Sequence, residues 1–389
     1  MTKLILTITL LLLACPHSTF AQVRGLNKLD KVYSEVLSED REILIHLPSS
    51  YKLDSKAKYP VMYLTDGLRN FNHAAGTLDL LTQSYKTQEM IIVAIKNTHR
   101  TRDYTPTYDG SYNQWGISGG ADNFLDFLEK ELIPYINNTY RTTEFNVLSG
   151  HSLGGLLVIH SLQTRPHLFQ AHFAFSPSLW WHDGVILRRA KDFFSQTKTL
   201  NNTLYLNLAN EDAQMRNAFD EYIQTLEQSQ IEGFTFRFDI DEQENHSTIA
   251  LVGHNKAYVY LFKSLRCPDS IIAKGITDFE QCYKTLSEQY GVDILPSYDV
   301  YRQAASASLK NNDFATAIGI FNGAINKFPY TSDAHFRKAY ALKEKGDISS
   351  ALDSINHALE ISRKENVENN KYKTFKTNLL VLLDKHGVK

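Results

Sequence analysis

Apolar and polar residues alternate over Arg41-Glu42-Ile43-Leu44-Ile45-His46-Leu47, the period-two pattern of a half-buried strand. Val61-Met62-Tyr63-Leu64 and Met90-Ile91-Ile92-Val93-Ala94-Ile95 are instead short continuous apolar runs, as expected of strands covered on both faces. Phe124, Phe127, Leu128, Leu132 and Ile136 recur at helical spacing, so the pattern predicts a helix over 124–136. Further strands are expected at 144–148, 171–175, 204–208 and 234–238. Helices are expected from about Gln214 and over 249–265. Strands separated by helices imply βαβ units, hence an α/β fold with a doubly wound, mostly parallel sheet.

Beyond about residue 266 the strand pattern stops, and residues 298–383 read as helical throughout. Asn312-Asp313-Phe314-Ala315-Thr316-Ala317-Ile318 matches Gly346-Asp347-Ile348-Ser349-Ser350-Ala351-Leu352 at an offset of 34 residues. Phe321 and Ala324 match Ile355 and Ala358 at the same offset. A helix–turn–helix repeat of 34 residues has the tetratricopeptide period. Two such repeats bury too little to stand alone, so they need another surface. Docking on the α/β part is expected, and a groove for a protein partner is the alternative. Lys371 to Leu383 has the place of a capping helix. The expected organisation is a leader at 1–21, an α/β domain at 22–265, a helical linker at 266–297 and tetratricopeptide-like helices at 298–389.

The leader follows from Lys3, the apolar run Leu4 to Ala14, and Ala21 before Gln22 as a cleavage point. The run is too short to span a bilayer, so the mature chain carries no transmembrane segment on this reading. Export to the periplasm or the medium is expected. Leu12-Leu13-Ala14-Cys15 resembles a lipobox, so anchoring through a lipidated Cys15 is the alternative. Cys267 and Cys282 then remain, and an oxidising compartment allows them to pair or to stay as separate thiols. The 41 basic residues balance 43 acidic ones with no basic stripe, which argues against nucleic acid as a partner. No metal-ligand spacing and no phosphate-binding glycine loop is present, so neither metal nor cofactor is expected.

Gly150-His151-Ser152-Leu153-Gly154 fits the nucleophile-elbow pattern Gly-x-Ser-x-Gly, set between a strand and a helix. By itself the pattern arises by chance in roughly one chain in ten of this length. A serine hydroxyl needs a base for its proton and donors for the oxyanion. Behind this elbow, acid and histidine follow in chain order at later strand ends. Glu211 stands directly after the 204–208 strand, with Asp212 as the alternate acid. His246 stands after the 234–238 strand. His151 is read as structural and His254 as a weaker base. The oxyanion donors are expected to be the backbone N–H groups of Leu153 and of Leu68, after Asp66-Gly67.

With these residues in view, the chain resembles the putative-esterase family of α/β-hydrolases over roughly residues 28–265. The family includes enterochelin-esterase-like, esterase-D-like and feruloyl-esterase-like enzymes. The resemblance rests on Tyr63-Leu64-Thr65-Asp66-Gly67, Arg100 to Thr107, Gly150 to Gly155, Ser176-Pro177-Ser178-Leu179-Trp180-Trp181 and Glu244-Asn245-His246. It implies carboxylic ester hydrolysis of a small-molecule substrate without metal or cofactor, by a Ser-His-acid triad or a Ser-His dyad. Arg100, Arg102, Asp103 and Tyr104 follow one strand end, and Trp180 and Trp181 follow another. These are candidates to hold an acidic or aromatic substrate group; an internally paired Arg–Asp set and core tryptophans are the alternative. The expected function is an exported serine esterase. An acyltransferase using the same acyl-enzyme and a non-catalytic binding protein acting through the repeats are its rivals.

Overall fold

The computed structural model describes residues 26–54, 56–365 and 369–385. The expected leader and Cys15 lie outside the described residues. Eight strands form one sheet: β1 (Leu26–Ser34), β2 (Glu39–Leu47), β3 (Tyr59–Leu64), β4 (Ile91–Ile95), β5 (Thr142–His151), β6 (Ala171–Phe175), β7 (Thr203–Ala209) and β8 (Thr235–Asp241). Their order is β1-β2-β4-β3-β5-β6-β7-β8. β1 and β2 run antiparallel at one edge, and every pairing from β4 across to β8 is parallel. The interior strands are the continuous apolar runs, because helices cover both of their faces. Edge strand β8 keeps a half-exposed pattern.

Helix α1 (Gly67–Gln83) follows β3. Between β4 and β5 lie α2 (Arg100–Tyr104), α3 (Ala121–Phe127) and α4 (Ile133–Thr139). α5 (Leu153–Thr164), α6 (Trp181–Gln196), α7 (Ala213–Gln228) and α8 (Ile249–Ser264) follow β5, β6, β7 and β8. The helix expected over 124–136 is interrupted, with a π-helical turn at Leu128–Leu132 between α3 and α4. Pro134 has no N–H for the preceding turn, and its ring crowds the carbonyl four residues back, so the backbone widens there.

Side chains alternate across the sheet. Val61 and Tyr63 join a core with Leu156 and Leu157 of α5, Ile186 of α6 and Phe219 of α7. Met62 and Leu64 join a second core with Phe71 of α1 and Tyr258 of α8. This second core continues without a break into the C-terminal helices. It reaches α9 (Asp269–Ile272), α10 (Ile276–Tyr290), α11 (Tyr298–Lys310), α12 (Phe314–Lys327) and α13 (Ser332–Lys345), while α14 (Ile348–Lys364) and α15 (Asn370–Lys385) form a third core with α13. The stretch expected as a linker is therefore part of the core, with Phe279 and Tyr283 of α10 buried. Tyr290 packs on Phe145 at 5.9 Å and its hydroxyl lies 3.1 Å from Thr203 Oγ1. A disulfide joins Cys267 and Cys282.

The 34-residue register has a structural counterpart. Asp313 caps α12 by accepting from the Thr316 N–H at 3.1 Å, and Asp347 caps α14 from the Ser350 N–H at 3.1 Å. Among the described residues, no helix is long and apolar enough to cross a membrane.

Candidate active site

The chain reverses direction across the sheet between β3 and β5, which lie side by side while β4 and β6 lie outside them. In open α/β sheets ligands bind at the carboxyl ends of the strands at such a reversal. The ends of β3 and β5 carry Asp66 and Ser152. Ser152 has φ 61° and ψ −118°, a region costly for a residue with a Cβ, and it caps α5. The crowding explains the flanking glycines. A Cβ on Gly150 would lie 2.2 Å from the Gly154 carbonyl oxygen, and one on Gly154 would lie 2.4 Å from Thr65 Oγ1.

Leu153 begins α5, and Leu68 lies in the first turn of α1. First-turn N–H groups have no intrahelical acceptor. Neither of these two N–H groups has an acceptor among the described residues. Two helix N-termini, each carrying partial positive charge, thus stand at the ends of the adjacent strands β3 and β5. The side chain of Leu68 is exposed and plays no part in this.

Glu211 follows β7 and His246 lies in the loop between β8 and α8. Glu211 Oε1 is 2.8 Å from His246 Nδ1. The Glu211 side chain is only 7% exposed, against 40% for His246. Burial pushes the Glu211 pKa up, but the hydrogen bonds with His246 and Ser176 outweigh it and hold the carboxyl below its ordinary value. The Asn210 N–H donates to the Glu244 carbonyl at 3.0 Å, tying the acid loop to the histidine loop. Asp212, the alternate acid, is occupied elsewhere: it caps α7 by accepting from the Met215 N–H at 2.9 Å. The His246 ring lies 4.6 Å from the ring of His151, the residue before Ser152. Burial, and then the charge of His246, lower the His151 pKa to about 4, so His151 is neutral. His254 is buried in α8, with Nε2 3.0 Å from Ser149 Oγ. Ser152 Oγ makes its hydrogen-bond contact with Ser178 Oγ at 3.3 Å and not with His246. Catalytic hydrogen bonds often tighten only with substrate bound.

The arginines named as candidates for substrate are paired within the protein, the alternative given for them above. Arg100 grips Asp66 at 2.7 and 2.9 Å and also reaches the His151 carbonyl at 3.2 Å. Tyr104 accepts from the Asp66 N–H at 3.3 Å and donates to Asn97 Oδ1 at 2.6 Å. This network holds the β3–α1 loop against the elbow. Arg102 pairs with Glu39 and Asp103, both at 2.7 Å, and Asp103 pairs with the buried Arg41 at 2.6 Å. Arg102 and Asp103 of α2 are thus paired with Glu39 and Arg41 of β2. Trp181 is fully buried, its indole N–H donating to the Thr107 carbonyl at 3.3 Å. Trp180 is half-buried and packs 5.5 Å from Tyr112, whose ring also lies 4.9 Å from that of the exposed Trp115. Of the two tryptophans, only Trp180 retains exposed surface.

Two residues had no role assigned in the sequence reading. Ser178 touches the nucleophile candidate; it stands three residues past the β6 end, inside the Ser176 to Trp181 stretch that carried part of the resemblance. Arg69, in the first turn of α1, reaches the Ser247 carbonyl of the histidine loop at 3.3 Å. It has no carboxylate partner among the described residues, and its charge helps to lower the pKa of His151.

A family model described as Putative esterase matches residues 34–258, more than half of the chain. The chain belongs to this family. Among curated proteins, the ferri-bacillibactin esterase BesA of Bacillus subtilis (strain 168) is 32% identical over 197 residues, 44% of this chain and 66% of that protein. The siderophore enterobactin esterase of Emericella nidulans is 32% identical over 155 residues, 34% of this chain and 51% of that protein. The chain thus spans less than two thirds of the length of these two esterases. Among solved structures, an IroE-like serine hydrolase from Shewanella oneidensis aligns with a TM-score of 0.67 at 30% identity, over 76% of this chain and 98% of that one.

Proposed function

We propose that this chain is an exported serine esterase that hydrolyses carboxylic esters through an acyl-enzyme on Ser152. The observation that carries the reading is the 2.8 Å contact between Glu211 and His246, with the His246 ring 4.6 Å from that of His151, the residue before Ser152. His246 takes the Ser152 proton as Oγ attacks the ester carbonyl. The Leu153 and Leu68 N–H groups hold the oxyanion. His246 then protonates the leaving alcohol and activates water for the second half-reaction. Glu211 keeps the imidazole in the tautomer with Nδ1 protonated and steadies its charged form. Export rests on the leader pattern, and the Cys267–Cys282 disulfide suits an oxidising compartment.

Relatives named for bacillibactin and enterobactin favour siderophore-type esters as substrates. Two features of this chain agree with that. Trp115 and Trp180 offer aromatic surface, and Arg69 offers a cation that, among the described residues, has no carboxylate partner, between the oxyanion helix and the histidine loop. Ser152→Ala is expected to abolish hydrolysis of an activated aryl ester and labelling by a fluorophosphonate. Unchanged hydrolysis by the folded variant would sink the assignment.

A further inference from the structure

Ser178 follows β6 and is tied to Ser152 twice. Its N–H donates to the Ser152 carbonyl at 3.1 Å, and its Oγ lies 3.3 Å from Ser152 Oγ. It is 2% exposed, and among the described residues its hydroxyl has no partner other than Ser152. The Ser152 hydroxyl carries one hydrogen. If that hydrogen points to His246, the remaining contact requires Ser178 to be the donor and Ser152 Oγ the acceptor.

Such a donor has different effects on the two halves of the reaction. In acylation Ser152 Oγ is the attacking atom, and a hydrogen bond to its lone pair orients it without adding to its reactivity. In deacylation the same atom is the leaving group. Water gives a proton to His246 and its oxygen bonds to the acyl carbon. The tetrahedral intermediate then collapses, the C–Oγ bond breaks, and the electron pair passes to Oγ as His246 returns the proton. A donor already aimed at Oγ stabilises the charge that develops there, and Ser178 keeps its own proton throughout. We infer that Ser178 is a catalytic hydroxyl for deacylation, acting on Ser152 Oγ as it leaves. This rests on the acyl-enzyme reading above.

The test is Ser178→Ala in the full chain, assayed by stopped flow with a p-nitrophenyl ester. A hydrogen bond to a developing charge is worth about 10- to 100-fold in rate. The variant is expected to lose about that much kcat, with KM falling in step and kcat/KM near wild type. A burst of nitrophenol should appear, and intact-mass spectrometry should detect the acylated protein. Ser178→Thr, which keeps a hydroxyl, should recover most of kcat. Equal falls in kcat and kcat/KM with no acyl-enzyme would overturn the inference, as would wild-type kinetics. Should the alanine variant not fold, Ser178→Cys, with a weaker donor, should show the same burst in milder form, and its absence counts against the proposal. Failure of the underlying reading has a separate signature, since wild-type protein would then resist fluorophosphonate labelling at Ser152.

Discussion

Replacing Glu211 by Gln keeps the shape of the side chain and removes its charge. The carboxylate is 7% exposed and lies 2.8 Å from His246 Nδ1. Its pKa is held below the ordinary value of 4.5 despite burial, so it is ionised at neutral pH. As His246 becomes imidazolium, the two charge centres stand about 4 Å apart, worth about 4 kcal/mol at an effective dielectric of about 20. At about 1.4 kcal/mol per tenfold, that is about a thousandfold in rate. Solvent at the 40%-exposed His246 ring reduces it, so a loss of about a hundred- to a thousandfold in kcat is expected. The assay is steady-state hydrolysis of an aryl ester, with a thermal melt to show that the variant is folded. Asp212→Asn is the matched control: asparagine caps a helix as aspartate does, so activity and melting temperature should stay close to wild type. Folded Glu211→Gln protein with more than a third of wild-type kcat would refute the reasoning. So would an equal loss in Asp212→Asn, which would move the acid one residue along.

Arg69→Gln should lower kcat/KM about fivefold for an ester with an anionic acyl group, less at high salt, and leave a neutral ester unchanged; equal effects on both would remove Arg69 from the substrate site. Burial lowers the pKa of His172 from 6.5 to about 3, and among the described residues neither ring nitrogen has a hydrogen-bond partner. The unfolded chain therefore takes up a proton below pH 6.5 that the folded one refuses, so stability falls from pH 6.5 towards 3. His172→Phe should raise the melting temperature more at pH 5 than at pH 7.5, and equal shifts at both would contradict this. The Cys267–Cys282 loop spans 15 residues, so replacing both cysteines with alanine should cost about 3 kcal/mol in denaturant unfolding; no loss would deny the bond a role in stability.

Much of the sheet was legible because its interior strands are continuous apolar runs. The strand expected at 171–175 coincides with β6. The 34-residue offset was legible because each repeat starts a helix with the same aspartate cap. Elements without such a signature were missed. β1 runs Leu-Asn-Lys-Leu-Asp-Lys-Val-Tyr-Ser along an exposed edge, where no apolar run is needed. The elbow was legible because close approach forces glycine at fixed offsets from the serine. The choice between Glu211 and Asp212 was not, since both carboxylates stand at the same strand end.

The sequence by itself determined the period of each element, the tight turn at Ser152 and the chain order of acid and histidine. All of these depend on residues near one another along the chain. Tertiary structure decided which carboxylate meets His246, which arginines are spent on Asp66, Glu39 and Asp103, and that Ser178 lies beside Ser152. Those outcomes depend on strand order and on where each loop leaves the sheet. A charged side chain reads the same in sequence whether its partner is a carboxylate across the sheet or a substrate.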